Sequence, residues 1–393
     1  MSAPFKIISS EAELDTAIEA GRAAGRAGLD TEFLRERTYR ARLCLLQLAT
    51  PEDIFIVDPV AGLDLGSVAG LITDASVQMV VHAGKQDFEL FFDRFGAVPA
   101  NVFDIQIAAG FLGYGSSLPY GGLVEAAIGV KIEKGESYSD WCRRPLTEAQ
   151  LRYASEDVAY LLQVATHLEA ELEARRRLDW AAEEMSSLEL ASTYANDPEQ
   201  AWRRVAGRGS LPSSRLGVLK EVAAWRERSA ARRDLPRGWI FKDPTLVEIA
   251  RRAPKDGRAL GAIRGLSPKE AQRSEAELLL AVRKGRARPL DPERPPLSRL
   301  TLRRARLLSS LADAVVRARC EDAGVATELV ATRTELESLL AAVVSGSLEE
   351  DRYRILRGWR RELAGNAVLA VAAGKIAVRA TDIPPYIEEV EPR

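Results

Sequence analysis

Leu29-Asp30-Thr31-Glu32-Phe33 sets two carboxylates two residues apart inside an apolar run. Side chains alternate across a strand, so Asp30 and Glu32 leave the same face. Acids so placed repel each other, and burying them raises at least one pKa unless a cation neutralises the pair. Two further acids follow. Val80-Val81-His82-Ala83-Gly84-Lys85-Gln86-Asp87 ends a second apolar run and enters a helix, where Asp87 falls in the first turn and suits the helix dipole. Tyr153 and Asp157 are spaced i, i+4 and share one face of a helix that Thr147 starts. With only two histidines (His82, His167) and three scattered cysteines in the chain, the four acids form an all-oxygen ligand set. Such a set suits Mg²⁺ or Mn²⁺ rather than zinc or copper. Carboxylates on two strand ends and a helix can hold two such cations about 3.5–4 Å apart, the apparatus for in-line attack of water on a phosphodiester.

The elements that must position these acids can be read from periodicity. Strands are predicted over 28–33, 42–49, 54–58, 77–82 and 102–104, and helices over 11–22, 86–95 and 147–177. Ser10 with Glu13, and Thr147 with Gln150, each have the spacing of a capping box. This is an α/β pattern whose sheet order the sequence leaves open. Asp197-Pro198-Glu199 reads as a joint, and from Leu211 onward the pattern is helical. Ser213 and Asp243 read as N-caps, the latter with Pro244 at the first helical position, Ser267 with Glu270 as a full capping box, and Thr334 with Glu337 as a later start. A proline-rich stretch over 288–296 separates two helical stretches. Three modules are therefore predicted, at 1–200, 211–290 and 297–385.

Composition narrows the class. The chain has 393 residues, 46% hydrophobic and 28% charged, with a formal net charge of −2, which excludes a largely disordered protein. The apolar run Ala367 to Ala373 is far short of the ~20 residues a membrane span needs, and no apolar leader follows Met1, so a soluble, cytoplasmic protein is expected. Cys44, Cys142 and Cys320 lie too far apart to suggest a disulfide framework or a zinc site. Residues 211–290 hold 19 Lys/Arg against 9 Asp/Glu, so the chain pairs a basic helical module with acidic remainder. That asymmetry suits a polyanionic partner, or else an arginine-rich solvated face.

Taken in order and at these separations, Asp30-Thr31-Glu32, His82 through Asp87 and Tyr153 through Asp157 resemble the three motifs of the DEDD exonuclease superfamily. The Tyr-x-x-x-Asp form is similar to its tyrosine branch, since the histidine branch would place His where Arg152 stands. Further matches resemble the ribonuclease D family: Arg42-Leu43-Cys44-Leu45-Leu46-Gln47, Phe103-Asp104, Lys134, Ser139-Asp140-Trp141 and Arg144-Pro145-Leu146. Ala224 through Arg228, Asp234-Leu235-Pro236-Arg237 and Leu260 through Gly265 look like the helical HRDC module. Ala331 through Leu336 stands where that family has a second, diverged copy.

The resemblance implies a ribonuclease H-like exonuclease domain, a mixed sheet flanked by helices, followed by two all-α HRDC-type domains. It implies a 3′→5′ exoribonuclease that uses two Mg²⁺ or Mn²⁺ to trim structured RNAs such as tRNA precursors, releasing nucleoside 5′-monophosphates. Asp30, Glu32, Asp87 and Asp157 would be metal ligands, and Tyr153 would orient the attacking water. Gln47, His82, Lys134 and Trp141 are the candidate substrate contacts. Gly113 through Ser117 lacks the ending of a phosphate-binding loop and is read as a flexible loop. Two other readings stay open: a DNA exonuclease with the same chemistry, and an RNA-binding adaptor whose catalytic site has decayed. Protein partners are not legible, and a monomer is the expectation.

Overall fold

A computed structural model describes residues 4–132, 139–290 and 297–391. Six strands form one mixed sheet: β1 Lys6–Ile8, β2 Arg26–Leu34, β3 Arg42–Ala49, β4 Ile54–Val57, β5 Gln78–Val81 and β6 Val102–Asp104, in the order β1-β4-β3-β2-β5-β6. β2 runs antiparallel to β3 and parallel to β5, so the strand carrying Asp30 and Glu32 lies inside the sheet. Around it pack α1 Glu11–Ala24, α2 Gly66–Ile72, α3 Lys85–Phe95, α4 Ile105–Gly110, α5 Tyr120–Ile128, α6 Glu148–Ala159, α7 Leu161–Ala174 and α8 Leu178–Met185.

Local chemistry explains these elements. α1 buries Leu14, Ala17, Ile18 and Gly21, a stripe at helical spacing, and its Ser10–Glu13 capping box closes as the sequence predicts. The helix expected over 147–177 is instead two. Tyr160 leaves helical geometry (φ −113°, ψ 0°), and its N–H donates to the Tyr120 hydroxyl at 3.1 Å.

Two helical units follow. The first comprises helices Ser213–Arg233, Arg237–Ile240, Asp243–Arg252, Gly257–Gly261 and Pro268–Ala287, around its own apolar core. Asp197-Pro198-Glu199 is less a joint than the start of this unit, because the 3₁₀ turn Pro198–Arg204 buries Ala201 and Trp202 in that core. Three helix starts also differ from expectation. The N-cap positions are Pro212 and Lys242, and Asp243 sits inside its helix, taking bonds from Ala206 N–H and Arg226. Glu270 is half a capping box, its N–H bonded to Ser267 while its carboxylate binds Arg233. The β2–β3 connection docks here: Tyr39 donates its N–H to Asp234 (3.0 Å) and its hydroxyl to Glu227 (2.9 Å), with the Arg237 guanidinium over its ring.

The second unit repeats the order of the first: a long helix, Arg299–Ala323, a four-residue turn, Thr327–Val330, then a capped helix, Arg333–Ser345. Its capping box is Thr332 with Glu335, two residues before the expected Thr334–Glu337. A small antiparallel hairpin, β7 Ala377–Ala380 with β8 Ile387–Val390, follows the last helix. This unit shares one apolar core with the sheet domain. Leu329, Val330, Leu336 and Trp359 are buried with Phe111 and Leu168. Trp180 and Trp359 stack at 5.0 Å, Ala326 N–H bonds the Gly110 carbonyl at 2.7 Å, and buried Arg360 ties Glu183 and Glu184 to the Leu329 carbonyl.

Cys44 and Cys142 form a disulfide, which corrects the expectation of unpaired cysteines. They stand 98 residues apart and meet only because β3 packs beside the segment after α5. No helix among the described residues is long and apolar enough to cross a membrane.

Candidate active site

Asp30 and Glu32 leave the face of β2 that α6 covers, and α6 supplies Tyr153 and Asp157. Thr147 fixes where α6 starts: it accepts from Gln150 N–H, and the Gln150 side chain accepts from Thr147 N–H at 2.9 Å. With Gln150, Ala154 and Val158 buried one turn apart, Tyr153 and Asp157 fall on the flank that meets β2. Oxygen atoms of Asp30, Glu32 and Asp157 all lie within 4.8 Å of one another. They line a cavity of about 240 Å³ with Thr31, His82, Tyr120 and Tyr153.

Electrostatics mark this as a place for a cation. Burial, then the neighbouring Asp87, Asp157 and Glu32, hold the Asp30 pKa well above the usual carboxylate range. Glu32 is pushed up to about 8, first by burial and then by Asp157 and Asp87. Burial also pushes Asp157 up to about 7, although the Tyr153 hydroxyl donates to it. Acids crowd one another here, so without a cation the cluster favours its protonated forms. A hard divalent cation would satisfy the same oxygens, and the residues fit one.

Asp87 comes from the first turn of α3 and stands beside this group rather than in it. Its carboxylate accepts from the Thr31 hydroxyl, and burial pushes its pKa up to about 7. Asp104, at the end of β6, fixes the turn that delivers it. That buried carboxylate accepts from Ala83 N–H and Gly84 N–H, both at 3.1 Å, and from Gln106 N–H at 2.9 Å. Ala83 takes a left-handed conformation (φ 56°), and a Cβ on Gly84 would stand 2.5 Å from the Val81 side chain. Gly84→Ala is thus expected to destabilise the fold by roughly 1–3 kcal/mol, measurable by urea denaturation.

His82 lines the cavity. Its ring packs edge-on to Tyr120 at 5.7 Å, and Nε2 lies 3.0 Å from the Leu118 carbonyl. Burial lowers its pKa, so it is neutral at pH 7 and Nε2 carries the proton it donates to that carbonyl.

Two expected substrate contacts are corrected. Gln47 is wholly buried on β3 directly opposite Asp30, and Trp141 is 3% exposed, its ring 5.8 Å from that of Tyr153. Both are shut off from solvent, so the structure presents neither to a ligand. Trp141 instead backs Tyr153, on a segment held by the disulfide and by Arg144, which bonds Asp58 and the Trp141 and Cys44 carbonyls. Lys134 lies outside the described residues. Sequence reasoning assigned no role to Tyr120, which lines the cavity, or to Asp104. The Asp104 signal was present, an acid ending a strand before a helix; Tyr120 follows Pro119 with nothing to distinguish it.

With this geometry in hand, the chain can be compared with known proteins. Residues 5–173 match a 3′-5′ exonuclease domain family and residues 215–282 match the HRDC domain. The chain is 39% identical over 374 residues to ribonuclease D of Gluconacetobacter diazotrophicus, covering 94% of this chain and 93% of that one. Against ribonuclease D of Nitrobacter hamburgensis the identity is 40% over 357 residues, 89% of this chain and 90% of the relative. The crystal structure of Escherichia coli RNase D, described as an exoribonuclease involved in structured RNA processing, superposes with a TM-score of 0.81 at 31% identity, over 94% of this chain and 99% of the other. Sheet domain and helical units thus coincide with one lineage, and the chain belongs to the ribonuclease D family of hydrolytic 3′→5′ exoribonucleases.

Proposed function

We propose that this enzyme removes nucleotides one at a time from single-stranded 3′ ends of structured RNAs, tRNA precursors among them, and releases nucleoside 5′-monophosphates. The observation that carries the reading is the meeting of three carboxylates from β2 and α6 within 4.8 Å, with Tyr153 bonded to one of them. Asp30, Glu32 and Asp157 would hold one divalent cation, Mg²⁺ or Mn²⁺; Asp30 would be shared with a second, which Asp87 approaches from α3. When bound, such a pair lowers the pKa of water and offsets charge on the leaving 3′ oxygen.

Tyr153 is held as a phenol, since burial and the neighbouring acids raise its pKa further above 10. It cannot serve as a base at neutral pH, and its hydroxyl instead orients the attacking water while fixed by Asp157. Tyr153→Phe should then lower kcat roughly a hundredfold with little change in KM, read from single-turnover decay of a 3′-labelled RNA. His82 and Tyr120 wall the side of the cavity where the terminal nucleotide would enter.

The basic unit at 211–290 would hold phosphates of the folded RNA body while its free end reaches the acids. The division expected at 1–200, 211–290 and 297–385 suits that division of labour once Pro198–Arg204 is counted with the middle unit, and the shared order of helices supports reading the last unit as a diverged HRDC-like copy. The substrates proposed would be met in the cytoplasm. The test is incubation of the protein with 3′-tailed RNA and Mg²⁺. A stepwise ladder with 5′-monophosphate products is expected, and intact RNA sinks the proposal. A matched tail ending in a 2′-deoxynucleotide separates RNA from DNA preference.

A further inference from the structure

Beneath the carboxylates lies a polar side chain with nothing to bond. Gln47 is fully buried, and among the described residues neither its Oε1 nor its Nε2 has a hydrogen-bond partner. A leucine or methionine of similar volume would fit without stranding two polar atoms, so in this state the carboxamide is a net loss to the fold. Its position suggests what the loss serves. Gln47 pairs directly with Asp30 across β2 and β3, so both side chains leave the same face of the sheet. Cβ atoms of such a pair lie about 4.5–5.5 Å apart, within reach of a glutamine side chain. α6, which carries Tyr153 and Asp157, closes over β3 and seals Gln47 from solvent.

We propose that Gln47 is a positioning residue for the cation-loaded centre: its Nε2–H turns to hydrogen-bond Asp30 and fixes that carboxylate's orientation. The assignment rests on the metal-dependent reading above. Gln47 contacts neither RNA nor water. It acts through Asp30, as buried amides and carboxylates behind ligands commonly orient them.

The test uses the full chain stripped of metal, comparing wild type with Gln47→Leu and with Gln47→Met. Mn²⁺ alone is titrated by calorimetry, and the thermal midpoint is read with and without Mn²⁺. Both variants are expected to melt at or above the wild-type midpoint when metal-free. Each should bind Mn²⁺ about tenfold or more weakly and show a smaller metal-induced rise in midpoint. On 3′-tailed RNA, kcat should fall with KM unchanged. Variants that bind Mn²⁺ as tightly as wild type overturn the proposal while leaving the exonuclease reading intact. A steep loss of metal-free stability in both overturns it too, because Gln47 is then a packing element. Wild-type protein that binds no Mn²⁺ removes the exonuclease reading and this inference together.

Discussion

Asp30→Asn is expected to yield a protein that folds at least as well as wild type and degrades RNA roughly a thousandfold or more slowly. The loss follows from Asp30's place at the centre of the cluster, with Glu32, Asp87 and Asp157 all acting on it. Cation stabilisation of a phosphodiester transition state is worth several kcal/mol, and each ~1.36 kcal/mol is a tenfold change in rate. The gain in stability follows from the same crowding. Removing one buried carboxylate relieves repulsion among those that stay. Calorimetry without metal should show an equal or higher midpoint, and the rise that Mg²⁺ gives the wild type should vanish. A variant that kept most of the activity would show that the cluster is not where hydrolysis occurs.

The second large effect is in pH. Glu32 titrates near 8 in the folded state against an ordinary 4.5, and Asp87 and Asp157 near 7 against 3.8. Folded-state values lie above unfolded ones, so these groups favour folding fully below about pH 4. Their contribution declines steadily above about pH 4 and is gone once pH has passed the folded values, about 7 and then about 8. The proton losses belong to the cluster as a unit rather than to single residues. The metal-free protein should therefore melt at progressively lower temperature from about pH 4 to about pH 8 and change little above that. Millimolar Mg²⁺ competes with those protons, so its affinity should climb across the same window and flatten or reverse the trend. A metal-free midpoint that ignores pH in this range would contradict the buried, uncompensated state of the acids.

Asp30, Glu32, Tyr153 and Asp157 could be read in advance because their geometry is local: strand alternation and one helical turn decide which face each takes. The Thr147 cap held for the same reason. What escaped depended on which element covers which. Gln47 looks like a surface polar residue until α6 is laid over β3, and Trp141 like a stacking platform until Tyr153 is set against it. Tyr120 enters the site through the break at Tyr160, which no periodicity marks. The Cys44–Cys142 pairing spans 98 residues and exists only once the sheet is assembled. Helix starts such as Thr332 slipped by two residues because Thr332–Glu335 and Thr334–Glu337 offer the same spacing, and packing of Leu336, Leu339 and Leu340 chose between them.

The continuous core between the sheet domain and the last helical unit decides how the molecule comes apart. Phe111, Trp180, Leu329 and Trp359 interlock across that boundary, so heating should release both sides in a single cooperative event. The unit built on Ser213–Arg233 and Pro268–Ala287 has a separate interior and can loosen by itself. Exchange of amide hydrogens would then sort the chain into two blocks, one made of its two ends and the other of its middle.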